Sequence, residues 1–214
     1  MKGAIMLNSN ITIFPPVGAK AWPTLVCFVG FAGSGKDTAA LALKKTHERM
    51  AFADPIKEML ITGLALQPAE VYGGTGVDRN APVSWLGKSP RELMQTLGTE
   101  WGRQRVNEDL WVKVMARRVN WAKQAGKMVA ITDGRMENEL AMVRNLGGLV
   151  IHIRRGRREG WWRAIRRKLF AHPSERGVRT LPGDEVVENA GTVEDLHEAV
   201  LAACKRFTDR VQHP

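Results

Sequence analysis

Thr24-Leu-Val-Cys-Phe-Val29 runs directly into Gly30-Phe-Ala-Gly-Ser-Gly-Lys36, and this junction constrains the fold more tightly than any other stretch of the chain. A short continuous apolar run is the pattern of a strand buried on both faces. An Ala/Leu-rich helical pattern follows, to about His47. Strand, glycine loop and helix in that order open a parallel α/β fold. A Gly-x-x-x-x-Gly-Lys loop in this place turns several backbone N–H groups towards one point. The following helix N-terminus adds partial positive charge, and the lysine ammonium reaches the outer phosphates of a nucleotide. Gly30, Ala32, Gly33, Ser34, Gly35, Lys36, Asp37 and Thr38 are therefore the candidate phosphate-contacting residues. Asp37 stands where a hydroxyl residue is usual, and the hydroxyl comes one place later, at Thr38. The bland alternative is a glycine-rich strand-to-helix turn that holds no ligand.

The alternation continues along the chain. Arg49-Met-Ala-Phe-Ala53 reads as a second strand, and Asp54-Pro55 opens a helix to about Leu66. Residues 67–88 contain Pro68, Gly73, Gly74, Gly76, Pro82 and Gly87 and read as a loop or flap. Ser89-Pro-Arg-Glu92 is a capping box that starts a helix to about Gly102. Asn107 is placed to cap the next helix, which ends near Gly126. Lys127–Thr132 and Leu149–Ile153 follow as strands, with a helix between them from about Met136 to Asn145. Glu185–Glu188 suggests a short fifth strand, and Thr192 starts a closing helix to about Val211. Residues 1–22, punctuated by Pro15, Pro16 and Gly18, form an irregular extension ahead of a single domain spanning 23–214.

Composition narrows the class without choosing a substrate. The 214 residues are 44% hydrophobic, enough for one sizeable core. The excess of 32 Lys+Arg over 22 Asp+Glu attracts polyanions of any kind, nucleotides included. Two distant cysteines, Cys27 and Cys204, form neither a disulfide framework nor a metal motif and suit a reducing cytoplasm. No apolar stretch reaches the ~20 residues of a membrane span, and the N-terminus lacks the apolar core of a signal peptide.

The remaining candidates are polar groups near strand ends. Asp133 closes the third strand, where an acid can hold magnesium, often through water; its alternative is a turn or helix-cap residue. With Asp37 and Thr38 it makes the candidate metal set. Arg91 and Gln95 lie four apart on one helix face, Arg103 just past a helix end and Arg135 just past a strand end. Arginine forks suit an acceptor phosphate, with Gln95 placed for a base; the alternative for each arginine is a surface ion pair. Trp101 and Trp111 have the right chemistry to stack on a base, although tryptophan at helical positions is usually core. The segment Arg154–Lys168 carries eight basic residues, Arg163 among them, interleaved with Trp161 and Trp162. It reads as a lid closing on the γ-phosphate, as a solvated basic helix, or as a nucleic-acid contact. His152 reads as a core histidine.

Gly30-Phe-Ala-Gly-Ser-Gly-Lys-Asp-Thr38 is similar to the GxxGxGKxT loop of adenylate-kinase-like nucleoside monophosphate kinases. Together with Phe52–Lys57, Ser89–Arg103, Asp109–Trp111, Thr132–Glu139, His172–Glu175 and Asn189–Thr192, it resembles the deoxynucleoside monophosphate kinases of bacteriophages. The resemblance implies a three-layer P-loop fold: a mostly parallel five-stranded sheet with helices on both faces, a monophosphate-binding flap (about 54–111) and a lid (about 154–176). It implies ATP and Mg2+, a dNMP acceptor, and the host cytoplasm if the chain is phage-encoded. Lys57 and Glu139, inside matched blocks, join Arg91, Gln95, Trp101, Arg103, Asp133 and Arg135 as acceptor-side candidates. Lys36, Arg135 and Arg163 become the candidate catalytic cations. A homodimer stays open, as does nucleic-acid contact through Arg154–Lys168. The rivals are a hydroxyl-phosphorylating kinase, which needs a general base such as Asp37 or Asp133, and a nucleic-acid-dependent ATPase.

Overall fold

The computed structural model describes residues 22–74, 76–155 and 178–212. Five strands form one sheet: β1 (Leu25–Val29), β2 (His47–Met50), β3 (Met128–Gly134), β4 (Leu149–Arg155) and β5 (Glu185–Asn189). Their order across the sheet is β2-β3-β1-β4-β5, and every pairing is parallel. A parallel sheet needs apolar cover on both faces, and the helices supply it. Val112, Met115 and Val119 of α5 (Leu110–Gln124) and Leu140 and Val143 of α6 (Glu137–Asn145) pack on Leu25, Cys27, Val129 and Ile131. Leu196, Val200 and Cys204 of the closing helix α7 (Val193–Gln212) cover Val26, Phe28, Ile151 and Ile153 on the opposite face. A separate small core of Leu60, Leu66, Val71 and Val83 lies under the irregular segment 67–88.

Several boundaries differ from the sequence pattern. Helix α1 spans only Lys36–Ala40 and tightens into a 3-10 turn over Leu41–Leu43. Strand β2 then begins at His47, earlier than expected, because the buried His47 ring bonds the Pro23 carbonyl at 2.8 Å and ties this edge strand down. Helix α2 (Asp54–Gly63) stops short of Leu66. The expected loop at 67–88 holds a short helix, α3 (Pro68–Tyr72), started by a Gln67–Glu70 capping box. The Ser89–Glu92 box does cap α4 (Pro90–Gln95), with Ser89 Oγ accepting from Glu92 N. Beyond Gln95 the chain keeps winding as wider π turns over Thr96–Val106, past the expected stop at Gly102. Trp111 explains the widening: its ring lies where a Cβ on Gly102 would sit, and its Nε1 donates to the Gly98 carbonyl at 2.7 Å. Asn107 does not cap α5 directly; its Oδ1 accepts from Asp109 N, and Asp109 is the boundary residue. Residues 1–21 of the expected extension and the expected lid beyond Arg155 lie outside the described residues.

Candidate active site

The loop between β1 and α1 has the backbone its glycines permit. Gly35 adopts φ +96°, left-handed geometry that a Cβ resists, and Gly33 adopts φ +75°. Lys36 is buried, and its ammonium folds back to donate to the carbonyls of Gly30 (2.8 Å) and Phe31 (2.9 Å). Ser34 Oγ is buried and finds no hydrogen-bond partner among the described residues, whereas Ala32, Gly33 and Asp37 are exposed. Because α1 is so short, the anion-binding capacity rests mainly on the loop N–H groups and on Lys36.

Register brings the acidic partner to this loop. Strand β3 pairs with β1, and Val29 sits opposite Gly134, so Asp133 lies beside the phosphate loop. Its carboxylate accepts from Phe52 N (2.7 Å) and Ala53 N (3.1 Å), tying the β2–α2 turn to the centre of the sheet. Burial pushes the Asp133 carboxyl above its ordinary range; the two backbone donors pull it back, Asp54 raises it and Arg135 lowers it. Lys36 shifts the other way, lowered by burial and by Arg135, with Asp37 and Asp133 opposing. Lys36, Asp37, Asp133 and Arg135 thus act on one another at the C-terminal ends of the strands, where ligands of open α/β sheets bind.

The acceptor-side candidates divide. Arg103, inside the π turns rather than beyond a helix end, donates to Glu139 Oε1 at 2.9 Å. Glu139 Oε2 accepts from the N–H groups of Arg135 (2.8 Å) and Met136 (3.1 Å), so one carboxylate fixes Arg103 and the backbone after β3 together. Lys57 joins the same region: burial lowers its pKa first, and Asp54 and Asp133 oppose that shift. Its ammonium stands 4.4 Å over the Tyr72 ring. Trp101 belongs elsewhere. It tilts against Trp111 at 6.4 Å and lines a groove with Pro55, Met59 and Val114, about half a turn of α2 away from Lys57. Arg91 and Gln95 are exposed on α4, as their spacing implied, and the Arg91 N–H donates to the Arg79 carbonyl at 3.2 Å, away from the Asp133 cluster.

Residues 87–200 match the family described as deoxynucleotide monophosphate kinase, slightly more than half of the chain. This chain belongs to the deoxynucleotide monophosphate kinase family. A putative deoxynucleotide monophosphate kinase of Acanthamoeba polyphaga mimivirus is 27% identical over 83% of this chain and 94% of its own length. Deoxynucleotide monophosphate kinases of Escherichia phage RB69 (30% identical) and Enterobacteria phage T4 (29%) match 52% and 61% of this chain. Those alignments cover 43% and 50% of the phage proteins. Among solved structures, dephospho-CoA kinase from Campylobacter jejuni superposes with a TM-score of 0.47 at 11% identity, over 88% of this chain and 98% of that one.

For a deoxynucleotide monophosphate kinase family member, the phosphate loop has three supports that its own motif does not reveal. Arg155 Nη1 donates to the Gly33 carbonyl, and Asn189 Nδ2 to the Ser34 carbonyl, each at 2.9 Å. His197 Nε2 bonds the Thr38 carbonyl at 2.8 Å. Asn189-Ala-Gly-Thr192 is visible in the sequence as a short polar turn after a strand; its partner is visible only once β5 is placed two strands from β1. His152, expected to be a core histidine, is buried, and its Nε2 bonds Asp184 at 2.9 Å. Arg163 and the other residues from 156 to 177 lie outside the described residues.

Proposed function

We propose that this chain transfers the γ-phosphoryl group of ATP to a deoxynucleoside monophosphate, giving the diphosphate and ADP. The observation that carries the reading is the junction of two charge systems at the strand ends: Lys36 on the phosphate loop and the Arg103–Glu139 pair, joined through Arg135 and Asp133. In-line transfer to a phosphate oxygen needs alignment and positive charge more than a base, because the acceptor is already ionised near neutral pH. Gly30 to Thr38 hold the donor phosphates, with Lys36 stabilising charge on the outer ones. Arg135, Arg103 and Lys57 hold the acceptor phosphate. Glu139 orients Arg103, and Arg91 and Gln95 line the approach from α4. Trp101 stands at the periphery of this arrangement, on the face of α2 that carries Pro55 and Met59 rather than Lys57.

The donor set fits magnesium: the Thr38 hydroxyl lies in the first turn of α1, and the Asp133 carboxylate, one backbone donor on each oxygen, keeps lone pairs for a metal-bound water. The ion would neutralise negative charge on the outer phosphates. Asp37, exposed beside the loop, completes the acidic surroundings. The organisation that accompanies this reading is an extension over 1–22, one kinase domain over 23–214, an acceptor region near 54–111 and a lid near 154–176 that contributes Arg163. Its setting is the host cytoplasm, consistent with the absence of any described helix long and apolar enough to cross a membrane. A homodimer is compatible with the reading.

The test is a coupled ADP-release assay with ATP, magnesium and each of the four dNMPs beside the NMPs. Turnover that requires a dNMP supports the proposal and gives base specificity directly. ATP consumption indifferent to every acceptor, and stimulated by DNA instead, would replace it with the nucleic-acid role of Arg154–Lys168.

A further inference from the structure

We propose that Arg155 and Asn189 form a two-point clamp that holds the phosphate loop in its nucleotide-binding shape. They are register partners at the C-terminal ends of β4 and β5. From there each sends one side-chain N–H to a different, consecutive carbonyl of the loop, Gly33 and Ser34. A peptide unit whose carbonyl is pulled outward presents the N–H on its other side inward. Two consecutive units fixed this way orient both N–H groups: that of Ser34 closes the turn onto the Phe31 carbonyl at 3.1 Å, and that of Gly35 is turned towards the anion, part of the concave donor arrangement on which loops of this kind depend. Lys36 draws the Gly30 and Phe31 carbonyls from the other end, so four loop carbonyls are held by side chains. Gly35 is shaped by the same contact: a Cβ there would run into Asn189 Nδ2, so the glycine is needed for close approach as well as for its φ of +96°. Neither residue needs to touch substrate; both are positioning residues for the donor side. Arg155 is well suited, since its planar fork holds the donor to Gly33 in a fixed direction.

The inference rests on the proposed kinase reading only for its activity arm, so the experiment also measures nucleotide binding directly. Asn189→Ala, Asn189→Asp, Arg155→Met and Arg155→Lys are compared with the unmodified chain by calorimetric titration of ATP, by steady-state kinetics, and by amide hydrogen exchange of the 30–38 peptide without nucleotide. Expected are a roughly tenfold rise in ATP Kd and KM for Asn189→Ala, the loss of one preorganised hydrogen bond, with the dNMP KM unchanged within about twofold. Exchange in the 30–38 peptide should quicken by a similar factor while the melting temperature stays near that of the parent. Asn189→Asp should be worse than Ala, because a carboxylate cannot donate to Ser34 and repels phosphate. Arg155→Lys should recover much of what Arg155→Met loses. Unchanged ATP affinity and loop exchange in both Asn189→Ala and Arg155→Met would overturn the clamp, even in a chain that phosphorylates dNMPs. Weakened ATP binding in a chain with no dNMP turnover would uphold it while defeating the kinase reading.

Discussion

Lys36 shows how function and stability oppose each other within one side chain. Burial lowers its pKa, with Arg135 adding repulsion, so the folded state pays to keep the ammonium charged. That charge is what a triphosphate needs. Lys36→Met should therefore lose about 3–4 kcal/mol of transition-state stabilisation, a several-hundred-fold drop in kcat/KM, without a fall in melting temperature. A large loss of stability alongside the loss of activity would show that Lys36 is structural instead. Asp133 gives a signed pH prediction. Its carboxyl is raised by burial, so the folded chain holds that proton more tightly than the unfolded chain. The corresponding stabilisation is present below the ordinary carboxyl range, near pH 4, and is lost as pH rises through the folded value. Asp133→Asn cannot titrate. Its deficit relative to the parent, measured by urea denaturation, should shrink between about pH 4 and pH 7; a deficit that grows would contradict the raised pKa. Glu139 adds a coupling prediction. It is buried and carries Arg103 together with two backbone donors. Glu139→Gln should cost about 3 kcal/mol, the usual penalty for leaving one partner of a buried pair. A double-mutant cycle with Arg103→Met should recover a coupling of about 1–3 kcal/mol.

At the scale of elements, the π turns over Thr96–Val106 decide where Arg103 points. An ordinary α-helix would rotate Arg103 by an accumulating fraction of a turn and carry it off the Glu139 side. Gly98 and Gly102 allow the wider winding to pack: a Cβ on Gly98 would stand 3.0 Å from Ile56 Cδ1, and one on Gly102 2.7 Å from the Trp111 ring. Gly102→Ala should therefore destabilise the fold by about 1–3 kcal/mol, an overpacking cost readable by denaturant titration. It should also raise the dNMP KM through displacement of Arg103. This element was only half legible in the sequence. The Ser89–Glu92 capping box fixed its start correctly, because a cap is a local hydrogen-bond exchange between neighbours in the chain. Its end was not legible, since the Trp111 wedge comes from the following helix. The same division explains α1. The Ala/Leu pattern from Lys36 to His47 is helical in preference, yet His47 is claimed by the sheet edge through the Pro23 carbonyl, a contact 24 residues away.

At the scale of the whole molecule, the parallel sheet and its strands could be read from buried apolar runs, but the strand order could not. The order β2-β3-β1-β4-β5 sets β1 in the middle, with β3 bringing Asp133 to one side of the loop and β4 bringing Arg155 to the other. A strand end is legible locally, so the position of Asp133 follows from its own strand, whereas the bond from Arg155 to the Gly33 carbonyl depends on which strand lies beside β1. The overall charge leaves one question that only the intact molecule answers: whether the excess of 32 Lys+Arg over 22 Asp+Glu serves small nucleotides or a polymer. Ligands that bind only the folded state raise its stability by RT ln(1 + [L]/Kd), about 2.7 kcal/mol at a hundredfold excess over Kd. For a chain of this size that converts to a rise of roughly 5–10 °C in melting temperature. ATP with magnesium, and a dNMP added to it, should each produce such a rise and should keep most of it between 50 and 300 mM salt, since a preorganised loop contributes hydrogen bonds that salt screens weakly. A single-stranded DNA oligomer should raise the melting temperature only at the low end of that range, because polyanion binding is driven by counterion release and weakens steeply with salt. If the oligomer instead stabilises the chain at 300 mM salt while dNMPs leave it unmoved, the basic surface is a nucleic-acid site and the acceptor assignment fails.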